Sequence, residues 1–337
     1  MALSPSSTRR GYFCVILAAL MWAVSGPAGK FLFQHGMTPH QLVQLRVTLA
    51  STLLFLWLFL RHRSLLIISS KDILYFAVLG VLGMAMVQFT YFFAISKIKV
   101  AAAILLQYLA PTLIALYSVV IAREKLTRLT LIAIIGATAG CYLVVGAYSL
   151  DLFSLNKMGV IGGLCAALSF AFYSIYGERG MRRYSPWTVL FYALFAAALF
   201  WNLAHFAWSG APPPFSSFRQ GYSVVQWTWI FYIVVFGTAV PFGLYFEGIS
   251  LIRSTRASIT ATLEPILAGV VSYLFLNETM QPLQLLGGTL VIASVIVLQL
   301  RQEFDDKAPS FIRARTQAPQ PTSTTAAGYD FDHHSID

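Results

Sequence analysis

Glu264 is the residue in this chain best placed to do chemistry. It stands in "ATLEPILAG", residues 261–269, within an apolar run from Ser254 to Leu276. A charge at the centre of a bilayer costs about 2.5–3.5 kcal/mol on insertion scales. Glu264 must therefore face a wet cavity, pair with a cation or stay protonated. Two roles satisfy that condition. It contacts a solute or exchanges a proton, or it stays neutral and hydrogen-bonds a neighbouring helix near the break at Pro265. Three other charged residues lie about a turn or more inside apolar segments: Lys30, Arg46 and Glu247. With Glu264 their formal charges cancel. Lys30 and Arg46 sit within one or two turns of a segment end, where a long side chain snorkels to water. Glu247 is about one turn from its own segment end.

These residues call for a membrane scaffold. The chain is 58% hydrophobic and 11% charged, whereas a soluble domain carries about a quarter charged residues. A helix needs about 20 apolar residues to cross the hydrocarbon core. Ten segments qualify: 12–33, 41–60, 72–95, 100–120, 129–147, 157–177, 187–208, 227–250, 254–276 and 283–300. With the N-terminus inside, 17 of the 23 Lys and Arg fall on inner segments, so the positive-inside rule selects N-in and C-in. The net charge of +10 thus speaks of topology rather than of nucleic acid. Arg9 and Arg10 before an apolar run also fit a secretory signal. The length of the run and the lack of a cleavage site favour an uncleaved first span. Residues 302–337 are polar and read as a disordered cytoplasmic tail.

The chain repeats itself. "YFFAISKIKVAAAILLQYLAPTLIALYSVVIAREK" lies over "YFEGISLIRSTRASITATLEPILAGVVSYLFLNET" without a gap at n and n+154, with about a third of positions identical. Tyr91 pairs with Tyr245, Pro111 with Pro265 and Glu124 with Glu278. Ala110 stands opposite Glu264, so the symmetric fold does not need the carboxylate. Five spans per half is an odd number, so the second half enters the membrane inverted. The charges agree: the inner "AREKLTR" has as its outer counterpart "NETMQP", which lacks Lys and Arg. Inverted repeats are a signature of secondary transporters. Pro111 and Pro265 each remove a backbone donor at matching positions, which suits a hinge and also suits packing relief.

At this point the chain resembles the EamA-type branch of the drug/metabolite transporter superfamily, over about residues 11–301. "MWAVSGPAGKFLF" resembles that family's first-span motif, with Ala23 where glycine is usual. "LRVTLAS", with Arg46, resembles its second-span arginine segment. "VQFTYFFAI", "AAAILLQYLAPTLI" and "ATLEPILAGVVSYLFLNETM" resemble its third, fourth and ninth spans. The resemblance implies ten-helix secondary carriers, many of them exporters, with a central cavity lined by spans 1, 3, 4, 6, 8 and 9. Trp22, Ser25, Gln88, Tyr91, Gln107, Tyr108, Tyr173, Tyr176, Tyr245 and Thr262 fall on those spans. Gln88 and Gln107 are costly to expose to lipid, so they turn inward, toward a solute or toward another helix. The tyrosines serve equally as packing or interfacial groups.

The expected protein is all-α and polytopic, with ten transmembrane helices as two inverted five-helix repeats. Residues 1–10 form a cytoplasmic tail, 11–148 the first repeat, 157–301 the second and 302–337 the second tail. It is expected in a cell membrane, with the bacterial inner membrane favoured. It moves a small organic metabolite, amino acid-like or drug-like, by alternating access, with export as the direction. A proton as coupling ion and a homodimer stay open, the latter because "GATAG", Gly136–Gly140, allows close helix approach. The alternative is a membrane sensor or scaffold on the same fold. Cys14, Cys141 and Cys165 lack metal or disulfide spacing, the histidines are scattered, and "SGPAGKF" departs from a phosphate loop. No metal, cofactor, nucleic acid partner or enzymatic activity is expected.

Overall fold

Two capping boxes start two of the long helices. Thr38 accepts from the Gln41 amide (3.3 Å), and the Gln41 side chain accepts from the Thr38 amide (2.9 Å). Ser223 and Gln226 repeat the arrangement at 3.3 and 2.8 Å. Each box satisfies two amide donors that a helix start leaves open. The computed structural model describes residues 5–110, 112–113, 128–144, 150–209, 221–261 and 263–304. Pro111 and Thr262 lie outside them.

The described chain is helical. The order is α1 (Pro5–Gln34), α2 (Pro39–Arg61), α3 (Ile73–Val78), a π-helical stretch (Leu79–Ala85), α4 (Met86–Lys97), α5 (Val100–Gln107), α6 (Arg128–Val144), α7 (Leu150–Met181), α8 (Pro186–Ser209), α9 (Val224–Val234), a second π stretch (Val235–Ala239), α10 (Val240–Ala261), α11 (Leu263–Leu276) and α12 (Pro282–Phe304). Apolar side chains cover much of the outside; Leu60 is 71% exposed and Phe275 73%. That surface suits lipid and not water. The chain is an all-α polytopic membrane protein.

One expectation is met in part and another needs correction. Of the ten segments, six are long and apolar enough to span, among the described residues: Arg9–Gln34, Pro39–Arg61, Ser70–Lys97, Lys157–Met181, Pro186–Ala207 and Val224–Ile252. Leu131–Val144, Leu263–Leu276 and Pro282–Ser294 are shorter apolar helices. Second, the turn expected between 250 and 254 is absent, because α10 continues to Ala261. No Gly or Pro lies between Gly248 and Pro265 to stop it. The break falls later, and Glu264 and Pro265 sit in the first turn of α11. There proline's missing N–H costs no helical bond, and a carboxylate is favoured by the helix dipole.

Matched irregularities fall 154 residues apart. The π stretch Val235–Ala239 corresponds to residues 81–85, inside Leu79–Ala85. The end of α5 at Gln107 corresponds to the end of α10 at Ala261. Gly83 and Gly237 also correspond. Each glycine admits a side chain from the first helix of the other half: Tyr173 lies against Gly83 and Ser25 against Gly237.

Helix α1 packs on α10 and α11, α4 on α7, α2 on α8, and α6 along α12. The "GATAG" face of α6 is spent within the chain. A Cβ at Gly140 would come 2.7 Å from the Gly287 carbonyl oxygen, and one at Gly287 would come 2.7 Å from that of Gly140. The obstacle is backbone, which cannot rotate away. Gly140→Val is therefore expected to destabilise by about 1–3 kcal/mol or more. Thermal unfolding of the purified protein checks it, and an unchanged midpoint would contradict the close approach.

Candidate functional site

Trp22 and Ser25 stand one turn apart on α1 and face α10. The Trp22 ring lies 5.0 Å from Phe242 and 5.3 Å from Tyr245, both edge-on or tilted, geometries that aromatic pairs prefer. Across from them α4 supplies Gln88 and Tyr91, and the end of α5 supplies Gln107 and Tyr108. With Arg46, Phe170 and Glu264 these residues enclose a cavity of about 60 Å³. That is room for a few waters or a small solute.

The cavity draws on both halves at equivalent positions. Gln88 and Phe242, Tyr91 and Tyr245, and Gln107 and Ala261 are each 154 residues apart, and all line it. The two helix breaks open onto the same space. Tyr108, just past the end of α5, donates its hydroxyl to the Ala261 carbonyl that ends α10 (2.5 Å), and Glu264 Oε2 lies 3.1 Å away. One phenolic hydrogen thus faces two acceptors. Gln88 is buried, and its amide nitrogen reaches the Met84 sulfur (3.3 Å), a weak acceptor.

Arg46 corrects the sequence reading. It does not snorkel; it is 2% exposed. Its Nε donates to Thr238 Oγ1 (2.6 Å) and its Nη2 to the Gly237 carbonyl (2.8 Å), both on the second π stretch. Its guanidinium lies 4.8 Å over the Phe92 ring. Trp201 makes a weaker mirrored contact, its Nε1 lying 3.4 Å from the carbonyl of Ala85 in the first π stretch. Each π stretch thus receives a donor from the second long helix of the other half.

The remaining expected residues lie elsewhere. Tyr176 is not in the cavity wall; its ring stacks on Tyr75 at 4.6 Å, and its carbonyl accepts from the Tyr75 hydroxyl. Glu247 pairs with Arg10 (3.4 Å) at one end of the bundle. Pro265 borders a wider, mostly apolar groove of about 520 Å³ between α5, α11 and α12. Ser272 in its lining has a buried hydroxyl without a partner among the described residues, and Lys99 and Glu278 at its edge are already engaged.

They belong to a clasp. Lys30 donates to the carbonyls of Ile95 (2.8 Å) and Ile98 (2.9 Å) and lies 3.7 Å from Glu278. Glu278 Oε2 accepts from the Val100 amide at the start of α5 (2.8 Å), and Lys99 reaches the Thr279 carbonyl. The clasp joins α1 and the α4–α5 turn to the segment after α11. Glu278→Gln keeps an acceptor for Val100 and removes the charge facing Lys30. Such a pair is worth about 1 kcal/mol, or a fivefold shift in population. A cysteine at position 261, in a background without Cys14, Cys141 and Cys165, is expected to react several-fold faster with an impermeant maleimide applied from that end. Unchanged labelling would reduce the pair to a surface contact.

One family profile, that of the EamA-like transporter family, matches residues 9–146 and again residues 157–300. The chain belongs to the EamA-like transporter family. This transporter is 29% identical over 303 residues to an uncharacterized inner membrane transporter, YicL, of Salmonella typhimurium, covering 87% of this chain and 96% of that one. It is 33% identical over 222 residues to an uncharacterized transporter of Archaeoglobus fulgidus (64% and 74% covered). It is 24% identical over 221 residues to the threonine/homoserine exporter RhtA of Escherichia coli K12 (64% and 68% covered). A solved crystal structure of 20% sequence identity shares the fold, with a TM-score of 0.59 over 89% of this chain and 98% of its own. The family is one of transporters and not of enzymes, and the described residues hold no group of three or more His, Cys, Asp or Glu that would suit a metal.

Sequence reasoning missed Arg46 and Phe170 as parts of the wall, and Phe242 as well. Phe242 was within reach, since it is the repeat partner of Gln88. The duplication that located Tyr91 and Tyr245 locates it too.

Proposed function

We propose that this transporter is a secondary active carrier that exports a small organic metabolite by alternating access around the cavity between its halves. The observation that carries the reading is the cavity's composition from repeat-equivalent positions, with both helix breaks opening onto it. Broken helices at a repeat interface are where carriers of this kind bind solute. Ten spans with N-in and C-in topology, as two inverted repeats, fit the pairing of the irregularities. They fit also the end-to-end contacts: His35 with Gln226 (3.1 Å) at one end, Asp72 with Arg183 (3.2 Å) and Tyr184 (2.6 Å) at the other. Glu264, Gln107, Gln88, Tyr91, Trp22, Tyr108 and Tyr245 contact the solute or couple its movement, and the breaks preceding Pro111 and Pro265 flex. Export of an amino acid-like solute is favoured by the similarity to a threonine/homoserine exporter, and a bacterial inner membrane by the similarity to YicL.

The test is efflux from proteoliposomes loaded with a mixed metabolite extract and read by mass spectrometry against protein-free liposomes. Selective loss of one chemical class is the expected result. No loss, with a pH gradient of either sign and with exchangeable solute outside, would overturn the reading in favour of a sensor or scaffold.

A further inference from the structure

We propose that Trp22, Ser25 and Arg46 form a carboxylate-binding subsite in the cavity wall, and that the solute carries its carboxylate there. The word "solute" rests on the transport reading above; the subsite itself rests on geometry.

Three buried polar groups in this wall have no hydrogen-bond partner: Trp22 Nε1, Ser25 Oγ and Arg46 Nη1. Their residues are 7%, 2% and 2% exposed, and all three line the one cavity. They lie together. Trp22 and Ser25 are three residues apart and share a face of α1. The Ser25 hydroxyl rests so closely on Gly237 that a Cβ there would lie 2.5 Å from it. The carbonyl of that same glycine takes Arg46 Nη2. Indole and guanidinium nitrogens only donate, and the serine hydroxyl both donates and accepts. Donors left buried and unmet are costly, so the wall is built for an acceptor rich in lone pairs.

The charge balance selects the acceptor. Among the described residues Arg46 is the only cation in the cavity wall, and its plane is fixed by Phe92 and by its two bonds to the π stretch. Glu264 shares the space without pairing with it; the described ion pairs are Arg10–Glu247, Lys30–Glu278 and Arg183–Asp72. Arg46 Nη1 therefore keeps an unspent N–H, covered by the wall in this conformation. A multiply charged anion would meet Glu264 with no second cation. A monoanionic group, planar and with two oxygens, matches a guanidinium edge flanked by two further donors.

The probes are acetate, its neutral isostere acetamide, and chloride at matched ionic strength, with glycine and glycinamide as a second pair. Each is titrated into the purified full chain in detergent, and thermal unfolding is followed. Acetate and glycine are expected to raise the midpoint saturably, and acetamide, glycinamide and chloride are not. Ser25→Ala and Trp22→Phe leave the bonds of Arg46 to Gly237 and Thr238 in place. Each is expected to weaken the apparent acetate affinity about tenfold, the worth of one good hydrogen bond. Acetate no better than acetamide or chloride would overturn the subsite, as would an undiminished acetate response in both variants. If a variant fails to fold, the wild-type comparison of acetate with acetamide still decides. Acetate binding without efflux from proteoliposomes would leave the subsite standing and remove the transport reading. Efflux confined to solutes lacking a carboxylate would remove the subsite from transport.

Discussion

Arg46→Leu is expected to lower the thermal midpoint of the purified protein by about 3 °C. The arginine is nearly fully buried and ties α2, in the first half, to Gly237 and Thr238 in the second. Hydrogen bonds to a charged group contribute about 1.5–3 kcal/mol each. Against that stands the cost of burying a guanidinium, several kcal/mol, which leucine would not incur. The balance turns on what is left behind. The Gly237 carbonyl and the Thr238 hydroxyl oxygen belong to buried residues of the neighbouring helix, and leucine offers neither a donor, although Thr238 keeps its own bond to the Ile233 carbonyl. A net loss of about 2 kcal/mol follows. Arg46→Lys keeps a charge but presents one compact ammonium where a planar fork reaches two acceptors. It is expected to fall between wild type and leucine. If the leucine variant melts with the wild type, the bonds of Arg46 to Gly237 and Thr238 contribute nothing to holding the halves together.

Arg46 also marks where sequence reasoning stopped. Hydropathy places a residue by depth along its own helix, and at that depth a long cation can reach water. What decides its fate is which surface the helix turns toward its neighbours, and that is set by tertiary packing. Tyr176 illustrates the converse: it shares a helix with a cavity residue, Phe170, yet its ring is committed to Tyr75. The expected residues that line the cavity carried a second signal. Gln88 and Gln107 are too polar for lipid, and Tyr91 and Tyr245 occupy the same place in two copies of one motif. The helix breaks were half legible. Pro265 announced an interruption, and the structure puts it at the first turn of a new helix rather than at a kink. The π stretches left only a faint trace, a glycine at position 83 and another at 237. Such a widening depends on side chains from other helices filling the space beside it.

Glu264→Gln is expected to leave the protein folded and to slow solute flux by tenfold or more, a change of about 1.4 kcal/mol in the limiting step. Glutamine matches glutamate in size. Its amide can donate to the Tyr108 oxygen while Tyr108 keeps its bond to the Ala261 carbonyl, so the junction between the two helix breaks survives. What glutamine cannot do is carry a charge or release a proton. The wall would then hold Arg46 without an opposing carboxylate. A purely structural Glu264, neutral and serving only as a hydrogen-bond partner, predicts the opposite result: glutamine transports as well as wild type. Tyr108→Phe separates the two cases further. It removes the bridge to Ala261 and Glu264 but leaves the carboxylate, so a structural role makes it the more damaging change in thermal unfolding. A chemical role makes Glu264→Gln the more damaging change in flux. The measurement is efflux of the solute class found with the wild type, alongside the thermal midpoint of each variant. Flux in Glu264→Gln equal to that of wild type would remove the carboxylate from the transport cycle.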